Sequence, residues 1–180
     1  MRIISGTHKG RVVRPGKFFK DRPTTDIAKE SLFNILNNQY SIEESNVLDL
    51  FTGSGSISYE FASRGASSVL SVDANYKYVE FIKSTARDFS FDNIIAVRSD
   101  VFRFVKGVKQ QFDFIFADPP FGLNVLDQIP DLIFEHKILT DDGLFILEHP
   151  QEFNFSKHPN FKELRKYGRV NFSFFTDKKV

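Results

Sequence analysis

The chain has 180 residues, 41% of them hydrophobic and 26% charged, with a formal net charge of +1. That is the make-up of one folded domain with a sizeable core, and it excludes a pervasively disordered chain. Cysteine is absent, which excludes disulfides, zinc–thiolate sites and any thiol nucleophile.

Charge is unevenly placed. Met1 to Pro23 holds seven of the 24 Lys/Arg (Arg2, Lys9, Arg11, Arg14, Lys17, Lys20, Arg22) and one of the 23 acids, Asp21, so the remainder is mildly acidic. A basic arm on an acidic body points to a polyanion held at one end, with a solvated hairpin as the alternative. The four histidines show no metal-ligand spacing, and no metal is expected. With no apolar leader and no run long enough to span a bilayer, the expectation is a cytoplasmic protein with no membrane partner.

In chain order, Arg2-Ile3-Ile4 and Arg11-Val12-Val13 flank a turn at Ser5-Gly6-Thr7 and predict a small hairpin. A loop with Pro15, Gly16 and Pro23 leads to Thr25 or Asp26 as N-cap of a helix, with Ile27, Ala28, Leu32, Ile35 and Leu36 on one face. Strands then alternate with helices. Val47 to Phe51, Val69 to Val72, Ile94 to Val97, Phe112 to Ala117 and Leu144 to Leu147 read as strands. Ile57 to Arg64, Tyr76 to Phe89, and segments near Phe102 to Lys106 and Val125 to Phe134 read as helices. His149 to Asn160 reads as a loop. Phe161 to Tyr167 and Val170 to Phe175 read as a closing antiparallel hairpin. The pattern is α/β, a mostly parallel sheet with an antiparallel carboxyl-terminal hairpin. One domain is expected, with 1–40 as a basic extension and 41–180 as the catalytic core. Most of the 22 phenylalanines fall in apolar runs and belong to that core.

Chemistry concentrates at the strand ends, where open α/β sheets bind ligands. The loop Asp49-Leu50-Phe51-Thr52-Gly53-Ser54-Gly55 joins the first parallel strand to its helix, and its glycines let backbone approach a ligand. Asp73, followed by Ala74, ends the second strand, where an acid holds ribose hydroxyls; Asp100, followed by Val101, ends the third, where it meets an adenine amino group. Each acid alone reads more readily as a helix cap than as a ligand; together they describe a nucleoside-cofactor crevice. The fourth strand ends in Asp118-Pro119-Pro120-Phe121. Its carboxylate and proline carbonyls accept hydrogen bonds from one planar amine, and its aromatic ring stacks on the ring that bears it.

These residues resemble the class I S-adenosylmethionine-dependent methyltransferases that carry Asp/Asn-Pro-Pro-Phe/Tyr. Within them the chain resembles the RsmD family, through Arg2-Ile3-Ile4-Ser5-Gly6, Lys9-Gly10-Arg11, Arg22-Pro23-Thr24-Thr25-Asp26 and Lys29-Glu30-Ser31-Leu32-Phe33-Asn34. The resemblance implies a Rossmann-like fold with a seven-stranded sheet, S-adenosylmethionine as cofactor, and methylation of a guanine 2-amino group in 16S rRNA. The partner is then 16S rRNA or a small-subunit assembly particle, and the enzyme is expected to be a monomer. Asp118, Pro119, Pro120 and Phe121 become the catalytic set. The cofactor set is Thr24, Thr25, Asp49, Phe51, Thr52, Gly53, Ser54, Gly55, Asp73, Ala74, Asp100, Val101 and Asp118. The RNA-binding set is Arg2, Lys9, Arg11, Arg14, Lys17, Arg22 and Lys29. Ile27 and Lys29 stand where the family usually has arginine. Rival readings are methylation of adenine in DNA or RNA or of a protein glutamine, a non-catalytic RNA-binding domain on the same fold, and NAD-dependent oxidoreduction.

Overall fold

Runs buried on both faces of a sheet lose the polar alternation of a surface strand, which is why the apolar runs here are nearly continuous. In the computed structural model, which describes residues 1–16, 19, 25–120, 122–168 and 170–177, five of them form parallel strands. They are β1 (Asn46–Leu50), β2 (Ser68–Asp73), β3 (Ile94–Arg98), β4 (Phe112–Ala117) and β5 (Leu139–His149). The helices are α1 (Asp26–Gln39), α2 (Ser56–Ser63), α3 (Tyr76–Phe89), α4 (Val101–Gly107) and α5 (Ile129–Glu135). The hairpin β6 (Phe161–Tyr167) and β7 (Val170–Phe175) completes a seven-stranded sheet in the order β3-β2-β1-β4-β5-β7-β6, with β7 antiparallel to both neighbours. The expected architecture therefore forms. The order reverses between β1 and β4, the point past whose carboxyl ends open α/β sheets bind ligands.

Alternate residues of each strand supply two cores. Val47, Phe114, Phe116, Ile146 and Phe174 pack under α1, α2 and α3; Leu48, Leu50, Ile115, Phe145, Leu147 and Phe175 pack under α4 and α5. The N-terminal hairpin forms through an Arg2–Val12 bridge and lies on the first of these layers, contributing Ile3 and Val13. Thr7 N–H donates to the Ser63 carbonyl at 2.8 Å, and Gly6, at φ +82°, passes so close that a Cβ would lie 1.8 Å from that oxygen.

Three expectations need correction. Ile27 is 76% exposed, because the first turn of α1 projects past the core and its buried stripe begins at Ala28. The fifth strand starts at Leu139, its first half hidden in the sequence by the turn-like Asp141-Asp142-Gly143 and accommodated by a register shift against β4. Leu126–Gln128 is a 3-10 turn ahead of α5, and Pro130 opens the helix proper. Lys17, Lys20, Asp21, Arg22, Pro23, Thr24 and Phe121 lie outside the described residues.

Candidate active site

The glycine loop leaves β1 through strained backbone. Phe51 has φ +56°, uncommon for a residue with a side chain, and Gly53 and Gly55 follow at +53° and +80°. A non-glycine residue held there costs of order 1–3 kcal/mol and persists only where its surroundings over-determine it. The surroundings here are explicit. Thr52 N–H donates to the Val72 carbonyl (3.2 Å), Gly55 N–H to the Thr52 carbonyl (2.8 Å) and Gly53 N–H to Asp73 Oδ2 (3.0 Å). A Cβ on Gly55 would come within 2.9 Å of the buried Tyr59 ring, whereas among the described residues the Cβ position of Gly53 meets one atom within 4 Å, at 3.9 Å. Among those residues the loop is packed on its inner side and open above Gly53.

Asp49 supports the loop from beneath. It is 1% exposed, and its Oδ2 accepts from the Thr52 hydroxyl (2.7 Å) and the Ser58 hydroxyl; Ser58 and Ser71 share a further hydrogen bond at 2.7 Å. Burial pushes the Asp49 carboxyl up to about 6 against the pull of these donors. Ser58 and Ser71 were absent from the sequence reading. The signal is their position, small hydroxyls on buried faces of α2 and β2 beside a buried acid.

The other strand ends converge on the same edge. Asp73, half-buried, holds Gly53 through Oδ2 and accepts from Asn75 N–H through Oδ1 (2.8 Å), with Ala74 exposed between them. Asp100 is exposed and caps α4, its Oδ1 accepting from Arg103 N–H (2.9 Å), and Val101 is buried. The Ser99 N–H donates to the Asp73 carbonyl at 3.0 Å and ties these two ends together. Asp118 N–H donates to the Leu50 carbonyl at 3.3 Å, joining the Asp-Pro-Pro turn directly to the residue ahead of Phe51. Pro119 is buried and Pro120 exposed. The Pro120 carbonyl is taken by Leu123 N–H (2.9 Å), so of the two proline carbonyls read as acceptors, this one serves the turn instead.

The basic arm divides. Arg2, Lys9, Arg11 and Arg14 are exposed on the hairpin, with Arg11 lying over the Phe89 ring at 5.0 Å. Lys29 is 1% exposed and donates to the Arg2 carbonyl at 2.7 Å, within 3.7 Å of both Asp26 and Glu60. Burial lowers its affinity for a proton while the two acids raise it. Its ammonium is taken up by the Arg2 carbonyl and the two acids, and Lys29 leaves the RNA-binding set. Thr25, exposed, caps α1 through Oγ1, which accepts from Ala28 N–H at 3.2 Å.

A nucleoside with a charged tail fits this edge. Among the described residues, open backbone above Gly53, the start of α2 and a half-buried acid at Asp73 lie side by side, and Ser56 Oγ is buried there without a hydrogen-bond partner. Sheet order and loop together define a class I methyltransferase, the group that draws its methyl from S-adenosylmethionine. Over residues 1–176 the sequence matches the family described as Conserved hypothetical protein 95, and the chain belongs to it, the RsmD family of methyltransferases. It is 30% identical over 179 residues to the ribosomal RNA small subunit methyltransferase D of Buchnera aphidicola subsp. Baizongia pistaciae, covering 97% of this chain and 91% of that one. It is 35% identical over 156 residues to the putative rRNA methyltransferase YlbH of Bacillus subtilis, covering 84% of each. The structure of the putative methyltransferase yhhF of Escherichia coli superposes with a TM-score of 0.83 at 27% identity, covering 97% of this chain and 96% of that one.

Proposed function

We propose that this chain transfers the methyl group of S-adenosylmethionine to the exocyclic 2-amino group of a guanine in 16S rRNA. The observation that carries the reading is the Asp118-Pro119-Pro120 turn at the carboxyl end of β4, hydrogen-bonded to β1 beside the glycine loop. The small-subunit rRNA substrate is supported by the names of the relatives at 28–32% identity in Buchnera, Haemophilus and Escherichia.

An aromatic amine is a weak nucleophile because its lone pair is delocalised into the ring. Asp118 and the Pro119 carbonyl accept its two N–H bonds, localise that pair and aim it. Positioning of this kind supplies up to ~7 kcal/mol or more in favourable cases. Asp118 also sets negative charge where the amine becomes positive. When bound, the cofactor supplies an electrophilic sulfonium methyl. Phe121, by its place in the motif, stacks on the base, which is unpaired or flipped out of its helix to reach the turn. Glycine-loop residues 51–55 with Asp73 and Asp100 hold the cofactor, and Arg2, Lys9, Arg11 and Arg14 hold phosphates.

Tritiated cofactor offered with 16S rRNA, assembled small subunits, DNA and ribosomal protein, followed by nucleoside analysis, tests the reading. Label is expected in a 2-amino-methylated guanine; label in adenine or glutamine would overturn it. Asp118→Ala is expected to abolish turnover while leaving cofactor affinity within a few-fold, measured by calorimetry. A fully active Asp118→Ala protein would end the amine-clamp mechanism.

A further inference from the structure

A second carboxylate stands beside the Asp-Pro-Pro turn. β1, β4 and β5 run parallel, with Leu50 beside Ala117 and Ala117 beside Leu147. One residue further along come Asp118 and Glu148, on neighbouring strands about 5 Å apart. Glu148 lies inside β5 and continues the alternation of Leu144 and Ile146, so it faces the layer of α1, α2 and the hairpin. Its partner across the sheet, Phe172, belongs to that same core. Phe114 and Phe116 share the face, and the alternation of β4 carries Asp118 to it as well.

Glu148 is 3% exposed, deep for a carboxylate. It is engaged within the fold, as a buried acid must be. Two carboxylate oxygens offer about four acceptor positions.

We propose that Glu148 is the residue that reads the target base as guanine, accepting its N1–H while Asp118 and Pro119 hold the adjacent 2-amino group. The assignment rests on the reading of the turn given above. A guanine presents N1–H and the 2-amino group as neighbouring donors, which two adjacent acceptors match. Adenine sets a lone pair at N1 beside its amine, and a carboxylate facing a lone pair gains no bond and adds repulsion. Sites built to hydrogen-bond a substrate group reject the analogue lacking it far more strongly than apolar pockets reject a change of size, because a dry polar group is left unpaired. The turn grips any planar amine; Glu148 makes the site selective among them.

The probe is 2-aminopurine, which keeps the 2-amino group and has a lone pair at N1. It replaces the mapped target guanine in a small-subunit rRNA fragment, and kcat/KM is measured for both with the full chain. The wild type is expected to favour guanine by about 100-fold or more. In Glu148→Gln the amide can donate to the bare N1, and the preference is expected to shrink at least ten-fold, with kcat and KM for each base showing where. A wild type indifferent to the exchange overturns the assignment, and that comparison stands whatever a variant does to folding. A folded Glu148→Gln protein that loses activity equally on both bases also overturns it, since a purely structural role predicts that. If the wild type methylates no guanine at all, the reading of the turn fails instead, and this is known before any variant is made.

Discussion

Asp49 is a carboxylate placed where ionisation is costly, and the placement has a measurable consequence. Its folded pKa is raised to about 6 from an ordinary 3.8, with burial the first cause. Between those values the folded chain holds a proton that the unfolded chain releases, so this group's contribution to stability falls as pH rises from 4 to 6. The full swing is about 3 kcal/mol. Denaturant midpoints are therefore expected to show a stabilising component as pH drops from 6 to 4, and Asp49→Asn is expected to flatten it. A variant that keeps the wild-type slope over that window would place the titration elsewhere. Gly55 makes a second demand, since Gly55→Ala puts a methyl 2.9 Å from the Tyr59 ring at φ +80°. Loss of S-adenosylhomocysteine affinity, by ten-fold or more in calorimetry, is the expected outcome, because the loop must move to admit it.

Helix α2 joins the cofactor loop to the hairpin. It begins at Gly55, and its second half carries Glu60, fully buried, which accepts from Ile4 N–H (3.0 Å) and Ser5 N–H (3.1 Å) and pairs with Arg64 (2.8 Å) and Lys29. Removing one member of a buried ionic group typically costs about 3–5 kcal/mol, because its partners stay buried and unpaired. Glu60→Ala is expected to lose that much in chemical denaturation, with proteolysis cutting the hairpin first. A variant whose hairpin stays as protected as the wild type's would mean Ile3 and Val13 alone fasten it. Nothing local announced this joint. Glu60 reads as an ordinary helix acid, and only the fold brings the Ile4 and Ser5 amides and Lys29 to it. The same limit explains Lys29, whose burial is decided by a carboxylate 31 positions away and by the Arg2 carbonyl. By contrast, the first four strands, α3 and the closing hairpin were legible because periodicity and turn residues are local properties. The glycine loop and Asp-Pro-Pro turn were legible because their chemistry needs those residue types at consecutive positions. What Pro120 does with its carbonyl depends on Leu123 and the path of the chain beyond it, which no motif encodes.

The hairpin also spreads positive charge along the length of α2. Its open end reaches the glycine loop, where the Ser54 hydroxyl contacts Met1 Sδ at 3.5 Å, and its turn lies at Ser63, the far end of α2. An eight-residue helix is about 12 Å long, so the phosphate contacts proposed for Lys9 and Arg11 fall well away from the glycine loop. Contacts of that kind anchor a structured RNA without reading its sequence. They contribute through counterion release, each removing roughly 0.7–0.9 from the slope of log affinity against log salt. Replacing both Lys9 and Arg11 by alanine is therefore expected to reduce that slope by about 1.5 while cofactor affinity is retained. Lys29→Met, at a position closed to solvent, is expected to shift the unfolding midpoint and leave the slope as it was. A filter-binding salt series on the small-subunit rRNA fragment separates the two cases. A wild-type slope in the Lys9/Arg11 variant would move the RNA grip off the hairpin turn, toward Arg2 and Arg14 at the active-site end.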